Sequence, residues 1–199
     1  KIIVATDDER IAFHVKSFGG NVIMTSKNHT NGTERCAEVI REIEENFDIV
    51  VNIQGDEPFI NPQKISDLIY LFNNQEIQIA TLAKKINDFE IYCNENKVKI
   101  EFNQENIATS FTRIAKLNEV EFNKQNIFKH IGVYGFKTDI LEKITHLEQT
   151  QGEIESNLEQ VRWIENNYSI HVGITENDSF SVDKKEDIDT IVEIKSKNV

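Results

Sequence analysis

The sequence predicts an α/β fold in which a doubly wound, mostly parallel sheet carries helices on both faces. Two observations support this. Through the first third of the chain, apolar runs rich in β-branched residues alternate with amphipathic stretches, which is the order of strand and helix in such a sheet. One of these runs, Ile49 to Ile53, stops abruptly at Gly55 and Pro58. A bounded apolar run of this kind is typical of a buried strand of a parallel sheet.

The first half of the chain predicts three strands and three helices. Gly19-Gly20 ends the first helix, and Asn61 is a plausible N-cap because Pro62 suits the first helical position. The predicted strands cover residues 1–6, 21–25 and 49–54, and the predicted helices cover residues 9–18, about 34–46 and 62–73.

The second half predicts four more strands and three more helices. The strand from Lys129 to Lys137 contains two glycines, which indicates bending or close approach of a ligand. The strands are expected at residues 77–83, 97–102, 129–137 and 169–175, and the helices at residues 141–147, 154–166 and 185–195.

Composition narrows the class of function. The 199 residues fit a single domain, and a formal net charge of −12 argues against a nucleic-acid partner, which normally needs a basic surface. An anionic small substrate would need local Lys, Arg or a divalent cation, so a metal site made of carboxylates is favoured. Cys36 and Cys93 lack metal-site spacing, and no apolar stretch could span a bilayer. We therefore expect a cytoplasmic protein.

The strand that ends at Gln54 is followed directly by two acidic residues, Asp56 and Glu57. Ligands of open α/β sheets bind just beyond the carboxyl ends of the strands, so this position favours a functional site. An ordinary acidic turn is the alternative reading.

Five segments together resemble one enzyme family, the 3-deoxy-manno-octulosonate cytidylyltransferases. They are VATDD (4–8), NGTER (31–35), VVNIQGDEPFI (50–60), KHIGVYGF (129–136) and LEQVRW (158–163). The order and spacing of all five match the family. The resemblance implies a Rossmann-like nucleotide-diphospho-sugar transferase sheet with a smaller β region for sugar binding and dimerisation. It also implies a homodimer.

The family's reaction joins an acidic eight-carbon sugar to CTP, giving a CMP-sugar for lipopolysaccharide and releasing pyrophosphate. In such transfers positioning and electrostatic stabilisation dominate. The resemblance implies Mg²⁺ as cofactor and makes Asp56 and Asp183 the catalytic, metal-binding carboxylates. Asp183 could instead cap the predicted terminal helix, and the residues around it, Ser181 and Lys184, depart from the family pattern.

The resemblance also implies a set of sugar-binding side chains. An arginine among them suits the sugar's carboxylate because a guanidinium can grip it with two hydrogen bonds. Without the resemblance, the same side chains would be interpreted as a structural glutamine at a strand end, a solvated arginine, a half-buried histidine, a core tyrosine and a solvated helix face. The set is Gln54, Arg113, His130, Tyr134, Glu159 and Gln160.

The NGTER segment resembles the loop that contacts the nucleotide, which assigns Asn31, Gly32, Thr33 and Arg35 to CTP binding. Small residues there would let backbone groups meet the edge of the base. The alternative is an ordinary turn in which Thr33 caps the next helix.

The family's Pro-Ala-Arg and Gly-Lys-Pro signature does not occur in this sequence. We therefore expect a single domain over residues 1–199 that is N-terminally incomplete, with weak or no activity by itself. The alternatives are a synthetase for sialic acid or for an 8-amino octulosonate, and a non-catalytic binding module of the same fold. A Rossmann oxidoreductase is disfavoured because no GxGxxG follows a strand.

Overall fold

The computed structural model describes residues 1–177 and residue 182. Its strands are β1 Val4–Thr6, β2 Val22–Met24, β3 Ile49–Ile53, β4 Ile79–Ile86, β5 Lys99–Phe102, β6 Ala108–Thr112, β7 Ile127–Lys137 and β8 Ile170–Ile174. Its helices are α1 Glu9–Ser17, α2 Gly32–Glu42, α3 Pro62–Leu71, α4 Phe89–Cys93, α5 Glu119–Phe122, α6 Thr138–Thr145, α7 Gln151–Ser156 and α8 Glu159–Glu165. In this part of the chain no helix is long and apolar enough to cross a membrane.

The strands form a parallel pair, β1 with β2, and a six-stranded sheet centred on β7. Strand β7 pairs antiparallel with β3, β4 and β5, and β4 pairs parallel with β8. Strands β3, β4, β5 and β8 therefore share one direction, as a mostly parallel sheet requires. Because β7 is inserted between them in reverse, however, most of the neighbouring pairs are antiparallel. The α/β class is confirmed, with this difference in pairing.

Helices cover both faces of the six-stranded sheet, as predicted. On one face, α2, α6 and α8 pack around Phe136 and Trp163, both fully buried. The Trp163 ring meets those of Tyr134 and Phe136 edge-on, at centroid distances of 5.1 and 5.4 Å. On the other face, Leu68 and Phe72, at the carboxyl end of α3, pack against β4 and β7. The six-stranded sheet is therefore buried between helices on both faces, and this packing fixes the positions of its strand ends.

Gly135 shows why strand β7 carries a glycine. A Cβ at this position would lie 2.6 Å from Cε2 of Phe72, a distance that real Cβ atoms do not adopt. Close approach of α3 to the sheet therefore requires glycine here. At Gly135, therefore, the group in close approach is the Phe72 side chain of the protein itself.

The structure corrects several predicted boundaries. The helix expected over residues 154–166 is two helices, because Asn157 adopts a left-handed conformation with φ of 52° between them. Helices α4 and α5 and strand β6 were not predicted. They belong to the smaller β region, where Ile86, Tyr92 and Phe122 form a separate apolar cluster. The helix expected over residues 185–195 lies outside the described residues.

A cavity of about 130 Å³ separates β1 from β3. Helix α2 lies along it, and its lining is mainly apolar, including Ile3, Val39 and Val50. The parallel pair β1–β2 thus joins the six-stranded sheet through α2. That residues 1–199 form a single domain stays a prediction.

Candidate functional site

Two adjoining clefts bring most of the predicted site residues together. The larger, of about 600 Å³, lies between the start of α2 and the α7–α8 turn, and we call it the α2 cleft. The smaller, of about 230 Å³, lies beyond the end of β3, and we call it the Asp56 cleft. Gln54 and Arg113 line both. The α2 cleft adds Asn31, Gly32, Glu159 and Gln160 to them, and the Asp56 cleft adds Asp56 and His130.

Strand β3 places Gln54 and Asp56 in these clefts because it ends at Ile53, the residue before them. The Asp56 side chain is exposed to solvent. Its carbonyl oxygen accepts a hydrogen bond from the backbone N–H of Val182 at 2.8 Å. Asp183, the second predicted metal ligand, lies outside the described residues.

Asp56 is the predicted metal ligand that the structure describes. Over residues 1–177 and 182, no group of three or more His, Cys, Asp or Glu side chains could hold a metal ion. Mg²⁺ in phosphoryl-transfer sites commonly takes only one or two carboxylates beside substrate phosphate and water. An exposed carboxylate at the end of β3 fits that requirement.

The start of α2 forms one wall of the α2 cleft. Asn31 caps this helix, since its side chain accepts a hydrogen bond from the backbone N–H of Glu34 at 2.9 Å. The alternative in which Thr33 is the cap is therefore wrong. Gly32 lies close to β3, and a Cβ there would be 3.3 Å from Oε1 of Gln54. The glycine thus lets α2 approach the strand end.

Thr33 and Arg35 do not themselves line either cleft. The Thr33 side chain is 2% exposed, and its hydroxyl donates to Oε1 of Glu159 at 2.9 Å. The Arg35 guanidinium donates to the Thr25 hydroxyl and lies 3.5 Å from the Asp7 carboxylate. It therefore ties α2 to the ends of β1 and β2. The nucleotide-binding role of both residues stays a prediction.

His130 and Tyr134 lie together on β7, with ring centroids 5.1 Å apart. His130 Nε2 is 2.9 Å from the hydroxyl of Thr81, a contact that the sequence did not predict. Burial lowers the pKa of His130 to about 3, so its ring is neutral at pH 7. Such a ring can exchange hydrogen bonds with a ligand without carrying charge.

Tyr134 is almost fully buried, packed between His130 and Trp163. Burial and, secondly, the nearby carboxylate of Glu159 raise its pKa. Its hydroxyl has no hydrogen-bond partner among the described residues. Tyr134 therefore packs between the rings of His130 and Trp163.

Glu159 and Gln160 open α8 at the edge of the α2 cleft. Burial raises the pKa of Glu159 to about 7, although the Thr33 hydroxyl and the charge of Arg162 act in the opposite direction. Gln160 is 4% exposed. The alternative of a solvated helix face is therefore wrong for both residues.

The Asp56 cleft also contains cations that the sequence analysis missed. Lys97 and Lys129 line it together with Arg113. Consecutive residues of a strand normally point to opposite faces of the sheet. The sequence of β7 therefore gave no reason to expect Lys129 in the same cleft as His130. The lining thus holds three cationic side chains and two acidic residues, Asp56 and Glu57, a local excess of positive charge that suits an anionic ligand despite the acidic chain.

Comparison with known proteins identifies relatives of this architecture. A family model described as Cytidylyltransferase matches residues 1–174. A 3-deoxy-manno-octulosonate cytidylyltransferase of Parabacteroides distasonis is 42% identical over 94% of this chain and 79% of its own length. One from Fusobacterium nucleatum is 41% identical over 100% of this chain and 81% of its own length.

Solved structures with a similar fold include one protein of the same kind as these relatives. A CMP:2-keto-3-deoxy-manno-octonic acid synthetase complexed with CTP superposes with a TM-score of 0.91 at 29% identity, covering 100% of this chain and 82% of the other. HddC from Yersinia pseudotuberculosis, complexed with GMP-PN, gives a TM-score of 0.64 at 13% identity, covering 98% and 78%. The second likeness concerns the fold alone.

Proposed function

Because this chain belongs to the cytidylyltransferase family, we propose that its two clefts hold the two substrates of a nucleotidyl transfer. The protein is a nucleotidyltransferase that activates a 3-deoxy-octulosonate sugar acid with CTP, giving the CMP-sugar and pyrophosphate. In this proposal the backbone at Asn31 and Gly32 contacts the nucleotide, and the product serves lipopolysaccharide synthesis.

The sugar acid lies across the junction of the clefts. The Arg113 guanidinium pairs with its carboxylate through two parallel hydrogen bonds, which lysine could not reproduce. Gln54 bonds the sugar hydroxyls from the end of β3, and Lys97 and Lys129 provide a positive field for the acid. The carboxamide of Gln160 completes the subsite from α8.

His130 and Glu159 differ in protonation. The neutral His130 ring holds a sugar hydroxyl and does not transfer a proton, since its pKa of about 3 is far from neutrality. Glu159, with a pKa of about 7, can either donate to or accept from a hydroxyl at neutral pH.

Mg²⁺ is the proposed cofactor, held by Asp56 and Asp183. Asp183 follows Val182 directly in the sequence, and the hydrogen bond from Val182 to Asp56 supports this pairing. When bound, the ion would neutralise negative charge on the triphosphate. Asp56 would hold the ion from the end of β3, in the Asp56 cleft.

We also propose that the protein is a cytoplasmic homodimer, as the family resemblance implies. Sedimentation equilibrium of the purified chain tests the dimer: a mass of one chain at micromolar concentration would refute it.

One observation carries the function: Gln54 and Arg113 line both clefts, so the two substrates would meet at these residues. The test measures pyrophosphate release with CTP and Mg²⁺ for three sugar acids, the octulosonate, its 8-amino analogue and sialic acid. We expect the octulosonate to be preferred, and CTP over UTP. Preference for sialic acid would overturn the substrate assignment. Absence of any Mg²⁺-dependent CTP binding in a calorimetric titration would favour a non-catalytic module.

A further inference from the structure

We propose that Thr33 is a positioning residue whose hydroxyl holds the carboxyl group of Glu159 in the α2 cleft. It thereby links the first turn of α2 to the sugar-acid subsite. The inference rests on the proposed function only in naming the sugar acid as the ligand of Glu159. Thr33 then acts on the sugar through Glu159 and has no direct contact with CTP.

The geometry directs the Thr33 hydroxyl to a protein group. Its Oγ1 lies 2.9 Å from Oε1 of Glu159, a residue 126 positions later in the chain. Asn31 and Gly32 line the α2 cleft, whereas Thr33 is 2% exposed. A side chain buried to this extent offers no surface to a nucleotide, and its single hydroxyl proton is already donated.

The second carboxyl oxygen of Glu159 is the atom left for a ligand. Oε2 is buried and has no hydrogen-bond partner among the residues that the structure describes. Leaving a buried polar atom unpaired is unfavourable, so such an atom in a cleft wall suits a ligand hydroxyl. Because Thr33 fixes Oε1, the direction of Oε2 is fixed as well.

The protonation of Glu159 depends on several neighbours. Burial favours the neutral acid, as do nearby negative charges, whereas the Thr33 hydroxyl and Arg162 favour the carboxylate. Loss of the hydroxyl therefore raises the pKa of Glu159 further. The titratable and charged groups that face it are Glu34 and Cys36 on α2, Tyr134 on β7, Glu153 on α7 and Arg162 on α8.

The experiment compares Thr33→Val, which keeps the shape and removes the hydroxyl, with Thr33→Ser, which restores it. Thr138→Val is the matched control, because the Thr138 hydroxyl also donates to a protein group, the Phe47 carbonyl, away from both clefts. Carboxyl-¹³C NMR of glutamate-labelled protein gives the pKa of Glu159, with its signal assigned from Glu159→Gln. Steady-state kinetics give KM for the octulosonate and for CTP, and kcat.

We expect Thr33→Val to raise the pKa of Glu159 and to raise KM for the octulosonate about fivefold, the worth of one hydrogen bond. The KM for CTP and kcat should stay within about twofold, Thr33→Ser should restore both readouts, and Thr138→Val should change neither. An unchanged Glu159 pKa in Thr33→Val, or a raised KM for CTP with that for the sugar unchanged, would overturn the inference. If the unsubstituted protein shows neither octulosonate turnover nor Mg²⁺-dependent CTP binding, the proposed function fails, and the NMR titration decides the Thr33–Glu159 contact by itself.

Discussion

The backbone N–H of Val182 donates to the carbonyl oxygen of Asp56 at 2.8 Å. This bond ties the last described residue of the chain to the end of β3, across a sequence separation that spans most of the fold. Because Asp183 is the next residue after Val182, the bond bears directly on the proposed metal site.

Asp56→Asn should abolish Mg²⁺-dependent turnover, lowering kcat by roughly 100-fold or more, because an amide is a poor ligand for the ion. Asp183→Asn should lower kcat to a similar extent. Initial rates across a Mg²⁺ titration give the measurement. The control is Asp67→Asn on α3, where the half-buried carboxylate lines neither cleft and accepts a hydrogen bond from Gln63 at 2.8 Å. Unaltered Mg²⁺ dependence in Asp56→Asn would contradict the metal assignment.

Arg113→Lys should raise KM for the octulosonate by about tenfold or more, since lysine keeps the charge but loses the paired hydrogen bonds. The KM for CTP should change little. Kinetics with each substrate varied in turn measure this. Arg41→Lys is the control, because Arg41 forms a partly exposed ion pair with Glu142 outside the clefts. Equal effects on both substrates would argue against a carboxylate contact.

Glu153→Gln should destabilise the fold by about 3 kcal/mol, because it removes the carboxylate that pairs directly with the buried Arg162. The Arg162 and Glu153 side chains are only 5% and 7% exposed, and Nε lies 3.3 Å from Oε2. Asp139→Asn removes an exposed pair with Lys143 and should cost less than about 0.5 kcal/mol. Urea unfolding followed by circular dichroism compares the two, and equal costs would refute the argument.

His130 should make stability fall in acid. Its pKa in the folded state is lowered to about 3, below the ordinary 6.5, because burial disfavours the charged ring. The stability that this neutral ring contributes is fully present above pH 6.5 and is lost as pH falls toward 3. The free energy of unfolding of His130→Asn should therefore depend less steeply on pH between 6.5 and 4, as measured by urea unfolding. An identical slope in both proteins would show that His130 is not the group responsible.

The sequence predicted an element correctly where residues close in the chain determine where it begins or ends. Asn61 does cap α3 ahead of Pro62, and the abrupt end of the apolar run does mark the carboxyl end of β3. The features that the sequence did not predict depend on contacts between residues far apart in the chain or on a single backbone conformation. Strand direction within the sheet depends on which neighbours β7 joins, and the sequence of β7 alone carries no sign of that. The break at Asn157 depends on a single left-handed residue inside an otherwise helical pattern.

The candidate site was likewise predicted only in part. The five family segments indicated Asp56 and Glu159, both of which line the clefts. They did not indicate which way the side chains of Thr33 and Arg35 point, because both follow from how α2 packs against distant elements. A segment that resembles a binding loop can therefore contain residues that serve its neighbours.

Trp163 is the sole tryptophan of the sequence, and it lies fully buried on α8, four residues after Glu159. Its indole N–H has no hydrogen-bond partner among the described residues, and its ring meets that of Tyr134, which in turn contacts the His130 ring. The chain therefore carries its own optical probe: a single tryptophan emission band should report, without any label, when a ligand binds at His130.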